Sequence, residues 1–279
     1  MGRSLGKLGS KLFIVMALLC SGAGAVAERH YRVMLADQDL GRVREQISQT
    51  DKQGYVIAQQ SELSQSGWWG KFELSSELTE TFDQNGVLLQ ASNRIIENGK
   101  VFWTKVELER DEYLAFRAQI TSDEEKQNAE ETQLAQGAIA NMVPGVGEIM
   151  AVGGLLFGED DKNTQRRFTK GSFDTTLLGM PLFWKRGSLS LPEKLRVFDT
   201  EEMLLFDAEV SLIAVEDRTI KANETQVYHY RLTEDQGEEL DIWLAQDAAA
   251  VPYFVKISGK DDGDLLVLSY LPDDEGQRK

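Results

Sequence analysis

The clearest structural signal in the chain is a pair of extended segments separated by Asn-Gly: Val87-Leu-Leu-Gln-Ala-Ser-Asn-Arg-Ile-Ile-Glu97, Asn98-Gly99 and Lys100-Val-Phe-Trp-Thr-Lys-Val-Glu-Leu-Glu-Arg110. Asn-Gly tolerates the positive φ angles that a two-residue hairpin turn requires. On the second arm the apolar side chains share one face and the charged side chains share the other. These apolar residues are Phe102, Val106 and Leu108. The segment therefore predicts an antiparallel hairpin with one buried face.

Extended segments continue outward from this hairpin in both directions. Near the start of the chain, Tyr31, Val33 and Leu35 alternate with their neighbours in the manner of a half-buried strand. A first β-block is predicted over residues 28–121 and a second, completing the same domain, over 168–279. From about Phe173 to Leu271 the second block is expected to be extended, in six runs: Lys194–Phe198, Met203–Val215, Thr225–Thr233, Leu240–Ala245, Val251–Ser258 and Leu265–Leu271.

The fold class expected from these segments is mainly β. Strands and helices do not alternate along the chain, so a parallel sheet is disfavoured and consecutive antiparallel strands are the simplest connection. The long runs indicate a large curved meander sheet or an open barrel with an inserted helical hairpin. Two stacked sheets are the alternative.

The inserted hairpin is predicted within residues 122–167, where the composition changes abruptly. Ser122-Asp-Glu-Glu125 fits a capping box, and Pro144-Gly145 separates two short helices at about 123–143 and 147–157. An apolar stripe runs along them at helical spacing: Ile139, Met142, Val146, Ile149 and Leu156. The stripe either packs over the sheet or contacts a membrane or a partner, and the glycine-rich pattern Gly154-Leu-Leu-Phe-Gly158 is compatible with the second option.

The N-terminus has the layout of an export signal. Basic residues precede the apolar run Leu12–Leu19, and small residues follow as far as Ala27. We expect cleavage after Ala27, a signal peptide over 1–27 and a periplasmic mature protein. An uncleaved anchor is the alternative, although the run is short for a membrane span. Leu19 is a poor residue before a lipidated cysteine, so Cys20 is expected to be removed with the signal.

Charge and composition narrow the functional classes. The chain has 30 basic and 46 acidic residues, a net charge of −16, and loss of residues 1–27 with their three basic side chains gives 27 − 46 = −19. Such acidity disfavours binding to nucleic acid or to anionic lipid. The single cysteine and two histidines of the chain leave no internal disulfide, no Cys-based zinc site and little basis for a multi-histidine metal centre.

The candidate chemical groups are few. If Thr233 pairs with Leu240, His229 lies opposite Leu244 with no carboxylate beside it, so a catalytic role is not expected. Cleavage after Ala27 would place His30 third in the mature chain, a spacing that can bind Cu(II) or Ni(II). Paired carboxylates fall in predicted turns and are interpreted as solvated charge. No nucleotide or phosphate-binding motif is present, so neither a cofactor nor an enzymatic activity is expected.

An adjacent pair of tryptophans, Trp68 and Trp69, is the remaining candidate binding feature. Neighbours on a strand point to opposite sides, so one ring is expected to be buried and the other exposed. An exposed ring could stack on a sugar or contact an apolar ligand. The alternative is that both pack at the entry of a strand.

Three stretches of the chain resemble uncharacterised exported β-proteins of Gram-negative bacteria, known only as domains of unknown function. They are Tyr31-Arg-Val-Met-Leu-Ala-Asp-Gln-Asp-Leu-Gly41; Glu80-Thr-Phe-Asp-Gln-Asn-Gly86 with Asn98-Gly-Lys100; and Tyr228-His-Tyr-Arg-Leu232 with Leu240-Asp-Ile-Trp-Leu244. The resemblance implies a periplasmic, curved antiparallel sheet without established catalytic residues. The chain departs from the family in the insertion Ser122–Arg167.

Three functional hypotheses follow. The first is a non-catalytic envelope protein whose sheet binds an apolar, lipid-like ligand or a protein partner. The second is a membrane-docked or membrane-active accessory protein that uses residues 134–157. The third is a carboxylate-dependent hydrolase of envelope polymers, which requires two carboxylates together inside a cleft.

Overall fold

The computed structural model describes residues 25–50, 52, 54–67, 70–97, 100–121, 164–234, 237–247, 251–261 and 264–272. The predicted insertion helices, Asn98-Gly99 and all but the last three residues of the predicted signal peptide lie outside these ranges. Within the described part of the chain, no helix is both long and apolar enough to cross a membrane.

Fifteen strands of the described residues pair in one sheet. The strands before the insertion are β1 (Ala25–Leu35), β2 (Gln38–Gln49), β3 (Tyr55–Gly67), β4 (Gly70–Phe82), β5 (Leu88–Glu97), β6 (Lys100–Glu109) and β7 (Glu112–Thr121). Those after it are β8 (Thr164–Thr169), β9 (Thr175–Thr176), β10 (Lys194–Asp199), β11 (Leu204–Ile220), β12 (Asn223–Glu234), β13 (Glu239–Gln246), β14 (Pro252–Asp261) and β15 (Asp264–Leu271).

The sheet runs in the order β8-β7-β6-β5-β4-β3-β2-β1-β15-β14-β13-β12-β11-β10-β9. Each consecutive pair is antiparallel except β9 and β10, which are parallel. The first and last strands meet in the middle, where His30 of β1 is opposite Leu271 of β15. The prediction of one large antiparallel meander is confirmed, and the alternative of two stacked sheets is wrong, because β1–β15 pairing joins both halves edge to edge.

Period-two alternation explains why these segments form strands with one buried face. In β1, Tyr31 and Val33 are buried while their neighbours His30, Arg32 and Met34 are partly exposed, as predicted. In β10, Leu195 and Val197 are buried and Lys194 and Arg196 are exposed, and the alternation ends at Phe198, which is also buried. Since a shift of one residue would turn each apolar row to solvent, this pattern fixes the register of the strands.

The sheet curves until its two edges approach each other. The ring centroids of Phe168 in β8 and Phe198 in β10 are 4.9 Å apart. The guanidinium of Arg166 in β8 donates a hydrogen bond of 3.1 Å to the carbonyl oxygen of Met203, which follows β10. Because β8 and β9 are the terminal strands of the sheet, these contacts close the sheet into a barrel-like form.

One short helix, α1 (Met180–Arg186), lies on the concave side of the sheet. Its Met180 and Trp184 belong to one buried cluster and Leu182 to a second, and both clusters contain inward-facing residues of several strands. Helix α1 is not among the predicted elements: it lies within the predicted second β-block, before the first extended run, Lys194–Phe198. Seven residues are too few for a clear helical period, although Pro181 in the first turn and basic residues in the last are typical of helix ends.

Candidate functional site

The seven residues predicted to contact a ligand or partner lie outside the described residues. They are Trp68, Trp69, Ile139, Met142, Val146, Ile149 and Leu156. Their contribution stays a prediction. The described residues carry four other features that bear on function: the filled concave face, a buried carboxyl joint, a cavity beside Arg29 and an open strand edge.

The concave face of the sheet is filled by the chain itself. Met180 and Trp184 of α1 are fully buried. The indole Nε1 of Trp184 donates a hydrogen bond of 3.3 Å to the hydroxyl of Tyr230, which donates one of 3.3 Å to the carbonyl oxygen of Leu189. The apolar surface predicted for a ligand is thus occupied by this segment, 172–193, which we call the plug.

The plug contacts the sheet closely at Gly179. A Cβ atom at this position would lie 2.7 Å from ring atoms of Phe82 and 2.9 Å from the hydroxyl of Thr176. Both are buried groups, so glycine allows the close contact between β4 and the start of α1.

A carboxyl group, Glu80 of β4, joins the sheet to the plug. Its side chain is 1% exposed. The hydroxyl of Thr176 in β9 donates a hydrogen bond of 2.5 Å to Oε2, and the hydroxyl of Thr200 donates one of 2.8 Å to Oε1. Thr176 also accepts a hydrogen bond of 2.9 Å from the backbone N–H of Gly179. Burial raises the pKa of Glu80 to about 7, and the two threonine hydroxyls lower it only in part.

Further acidic groups lie in the turn 200–203, next to Glu80. Burial, followed by the charges of Asp199 and Glu202, raises the pKa of Glu201 to about 7. Asp199 accepts hydrogen bonds from the backbone N–H groups of Glu201 (2.8 Å) and Glu202 (3.0 Å), which fixes the turn. The guanidinium of Arg117 in β7 pairs with Glu202. Two carboxylates therefore lie in the turn 200–203, and one of them, Glu202, pairs with Arg117 near the opposite edge of the sheet.

Sequence reasoning placed Glu201 and Glu202 in a turn and missed Glu80. A signal was available, because Glu80 lies between Leu78 and Phe82 on the apolar face of its strand. A charged residue in such a row is rarely buried without a specific partner. The sequence did not indicate that its partners lie 96 and 120 residues further along the chain.

Arg29 forms a second buried polar centre at one end of the barrel. Its guanidinium lies 3.3 Å from Glu45 and 2.9 Å from Asp247, donates to the carbonyl oxygens of Val251 and Pro252, and lies 4.5 Å from the ring centroid of Tyr253. Arg29 and Glu45 are 3% and 4% exposed. Burial raises the pKa of Glu45, while Arg29 acts to lower it.

A surface cavity of about 210 Å³ opens beside this centre. It lies between the tip of the β11–β12 hairpin and the start of β1, and is lined by Ala27, Glu28, Arg29, Ile220, Lys221, Asn223, Thr225, Asp247, Tyr253 and Tyr270. The charged groups at its wall bind one another or neighbouring strands, for example Glu28 with Arg44. Ala27, after which cleavage is predicted, lies in the wall of this cavity. The cleavage itself stays a prediction.

The two histidines lie in strands. His30 in β1 is paired with β2 and β15, and its Nε2 lies 3.3 Å from Glu28. His229 stacks on Trp243 with ring centroids 4.0 Å apart, and its Nε2 lies 3.2 Å from Asp241.

The expected register at His229 is wrong by one residue. Thr233 pairs with Glu239 instead of Leu240, because the connection between β12 and β13 is shorter than assumed. A carboxylate, that of Asp241, therefore lies beside His229, where none was expected. Asp241 is also held by Arg231, whose hydrogen bonds lower the pKa of Asp241.

One half of β11 is an open edge within the described part of the chain. Strand β10 pairs with Leu204–Glu209 of β11, whereas residues 211–220 pair on the β12 side alone among these residues. Leu212, Ile213 and Val215 are 54%, 50% and 45% exposed. A bulge at Ile213 and the charged residues 216–218 limit indiscriminate pairing, yet three large apolar side chains remain at the surface.

Comparison with known proteins establishes the fold. No family model and no curated protein matches the sequence. Among solved structures, the chain is similar to a β-barrel-like protein of the domain of unknown function DUF1849 from Brucella abortus, with a TM-score of 0.56 and 9% sequence identity over 90% of this chain and 98% of that one. This neighbour agrees with the expected resemblance to β-rich domains of unknown function in Gram-negative bacteria.

Proposed function

We propose that this chain is a non-catalytic, exported β-sheet protein that binds a protein partner of the bacterial envelope by strand addition to residues 211–220 of β11. The observation that carries the proposal is the open, apolar edge formed by Leu212, Ile213 and Val215. An extended partner segment would satisfy the backbone of this edge and cover the apolar side chains together.

The filled concave face favours a protein partner over a lipid-like ligand. A lipid in the barrel would have to displace Met180 and Trp184, which are already packed against the sheet. At the β11 edge, no described side chain would have to be displaced. Glu216 beside these apolar residues is paired with Arg218, but Asp217 and the net charge of −16 still favour a segment that combines apolar and basic side chains.

The carboxyl groups support a structural role better than hydrolysis. Both oxygens of Glu80 accept hydrogen bonds from threonines and its side chain is 1% exposed, so a polymer has no direct approach to it. We therefore assign no catalytic residue.

Site-specific photocrosslinking in the native cell tests the partner site. A photoreactive phenylalanine analogue at Leu212 is expected to give a discrete protein adduct, and Val215→Glu in the same chain should reduce it about tenfold, since an apolar contact at an interface centre contributes about 1–2 kcal/mol.

The matched control is the same analogue at Leu265 of β15, which is 52% exposed but is paired with Lys260 of β14 and accepts a backbone hydrogen bond from Ala36. Equal adducts at both positions, or none at Leu212, would contradict the proposed edge. Adducts to lipid at Leu212 would favour the membrane-docked alternative instead.

Export is tested by the N-terminus of the protein recovered from the periplasmic fraction. We expect Glu28 as the first residue, because small residues precede it at the predicted cleavage position. Protein that retains Met1, or that begins with a lipidated Cys20, would refute this part of the proposal.

A further inference from the structure

The cavity beside Arg29 contains a buried hydroxyl group. Tyr253 of β14 lines this cavity of about 210 Å³ and is 4% exposed. Its hydroxyl makes no hydrogen bond with another residue in the described part of the chain. A buried hydroxyl without a protein partner costs stability unless water or a ligand bonds to it. Tyr253 therefore indicates that the cavity accommodates a molecule that forms hydrogen bonds.

A second tyrosine hydroxyl belongs to the same wall. Tyr270 of β15 lines the cavity, and its ring centroid lies 5.3 Å from that of Tyr253 in an edge-to-face arrangement. Its hydroxyl also makes no hydrogen bond with the residues that the structure describes. Burial raises the pKa of Tyr253 to about 12, so this hydroxyl stays protonated at neutral pH. A protonated tyrosine hydroxyl can both donate and accept a hydrogen bond.

The charged groups of β1 and of the β13–β14 connection are already paired. The guanidinium of Arg29 lies 3.3 Å from Glu45 and 2.9 Å from Asp247. Glu28 lies 2.9 Å from the guanidinium of Arg44. Because these charges compensate one another, the wall favours a neutral ligand over an ion.

The tip of the β11–β12 hairpin adds neutral polar groups on the other side of the cavity. Asn223 contributes an amide and Thr225 a hydroxyl. The Nδ2 of Asn223 donates a hydrogen bond of 3.3 Å to the carbonyl oxygen of Lys221, so its amide oxygen can accept one from a ligand. The ammonium of Lys221 lies 5.7 Å from the ring centroid of Tyr270, where the aromatic ring attracts it.

The size of the cavity fits one small ring. One water molecule occupies about 30 Å³ of the liquid, so a volume of about 210 Å³ corresponds to about seven water molecules. Pockets for drug-sized ligands are larger, at about 300–1,000 Å³. A pyranose sugar is a small neutral ring whose hydroxyl groups both donate and accept hydrogen bonds. An acyl chain of similar size would leave the hydroxyls of Tyr253 and Tyr270 without partners.

We propose that this cavity binds one neutral sugar ring, either a free monosaccharide or the end of an envelope glycan, through the hydroxyls of Tyr253 and Tyr270 and the amide of Asn223. The site does not include the apolar edge residues Leu212, Ile213 and Val215. It therefore goes beyond the proposed partner binding and does not depend on it.

NMR of the whole protein as recovered from cells, with ¹³C in the tyrosine rings, tests the site. The probes are glucose, galactose, mannose and N-acetylglucosamine. At least one of them is expected to shift the ring signals of Tyr253 and Tyr270 with a Kd on the order of 1 mM, since so small a ligand makes few contacts. The linear trimer of N-acetylglucosamine separates the two sources: tighter binding than the monomer indicates a glycan end, and equal or weaker binding indicates a free sugar.

Two hydroxyl deletions and a matched control identify the site. Tyr253→Phe keeps the ring that lies 4.5 Å from the guanidinium of Arg29, and removes only the hydroxyl. We expect it to weaken sugar binding about fivefold to tenfold, and Tyr270→Phe to have a similar effect. Tyr228→Phe is the control, because the hydroxyl of Tyr228 donates to Gln226 and does not line the cavity. This variant should bind sugar with the wild-type affinity.

Three results would overturn the sugar site. The first is the absence of any shift at Tyr253 and Tyr270 with all four sugars at about 50 mM, well above the expected Kd. The second is unchanged sugar affinity in both Tyr253→Phe and Tyr270→Phe, which would place binding elsewhere. The third is a shift of the same signals by inorganic phosphate with equal or higher affinity, which would show that the cavity selects an anion.

Discussion

Trp184→Ala is expected to lower the free energy of unfolding by about 3–5 kcal/mol, a large packing loss for a single truncation. Trp184 is fully buried, its ring lies 5.2 Å from that of Tyr228, and its Nε1 donates a hydrogen bond to Tyr230. Alanine would leave a cavity between α1 and the concave face and an unpaired hydroxyl acceptor. Urea denaturation followed by circular dichroism measures the change.

Trp103→Ala is the matched control for this truncation. Trp103 in β6 is 38% exposed and contacts Arg94 at 5.7 Å, so its loss should change stability within about 1 kcal/mol. If the two variants were equally stable, α1 would not form part of the core, and the concave face would have to be considered open.

Arg29→Met is expected to destabilise the fold by about 3–5 kcal/mol, because it leaves Glu45 buried without its cation. The substitution also removes the link from β1 to Asp247 and to the carbonyl oxygens of Val251 and Pro252. The loss should be largest at neutral pH and smaller at acidic pH, where Glu45 can take up a proton. The measurement is urea denaturation at pH 5 and pH 7.5.

A second substitution separates charge from packing at this centre. Adding Glu45→Gln to Arg29→Met should recover part of the lost stability, since the unpaired carboxylate is gone. Arg42→Met is the surface control: Arg42 pairs with Asp39 where both side chains are nearly half exposed, and its loss should cost at most about 1 kcal/mol. A cost for Arg29→Met no larger than that for Arg42→Met would show that the buried pair is not important for stability.

The β architecture was predictable because the alternation of apolar and polar residues within each strand shows which of its faces is buried. Alternation at Tyr31 and Val33 identifies a half-buried strand without knowledge of its neighbours, and the predicted run Thr225–Thr233 lies within β12. Registers were less predictable. Moving Thr233 by one partner placed His229 beside Trp243 and Asp241 instead of Leu244, because the pairing depends on the turn between the strands.

The features that bear on function were harder to predict because their partners are distant in sequence. In the sequence Glu80 looks like any other acidic residue, because its partners Thr176 and Thr200 become its neighbours only in the folded chain. In the sequence β11 looks like an ordinary long strand, and among the described residues part of its edge is open because β10 is shorter than β11. The residues selected from the sequence, Trp68, Trp69 and the apolar stripe of the insertion, remain predictions.

The sequence by itself determined a chain of antiparallel strands, because period-two burial and turn residues act over a few neighbouring positions. Only the tertiary structure decided that β1 and β15 join the two halves, that α1 fills the concave face and that Glu80 is buried between Thr176 and Thr200. These properties depend on which distant side chains come into contact, and so lose their contact with water, once the sheet has curved. The burial of a carboxyl group and the exposure of a strand edge depend on residues that are distant in sequence, so they cannot be predicted from the neighbouring residues alone.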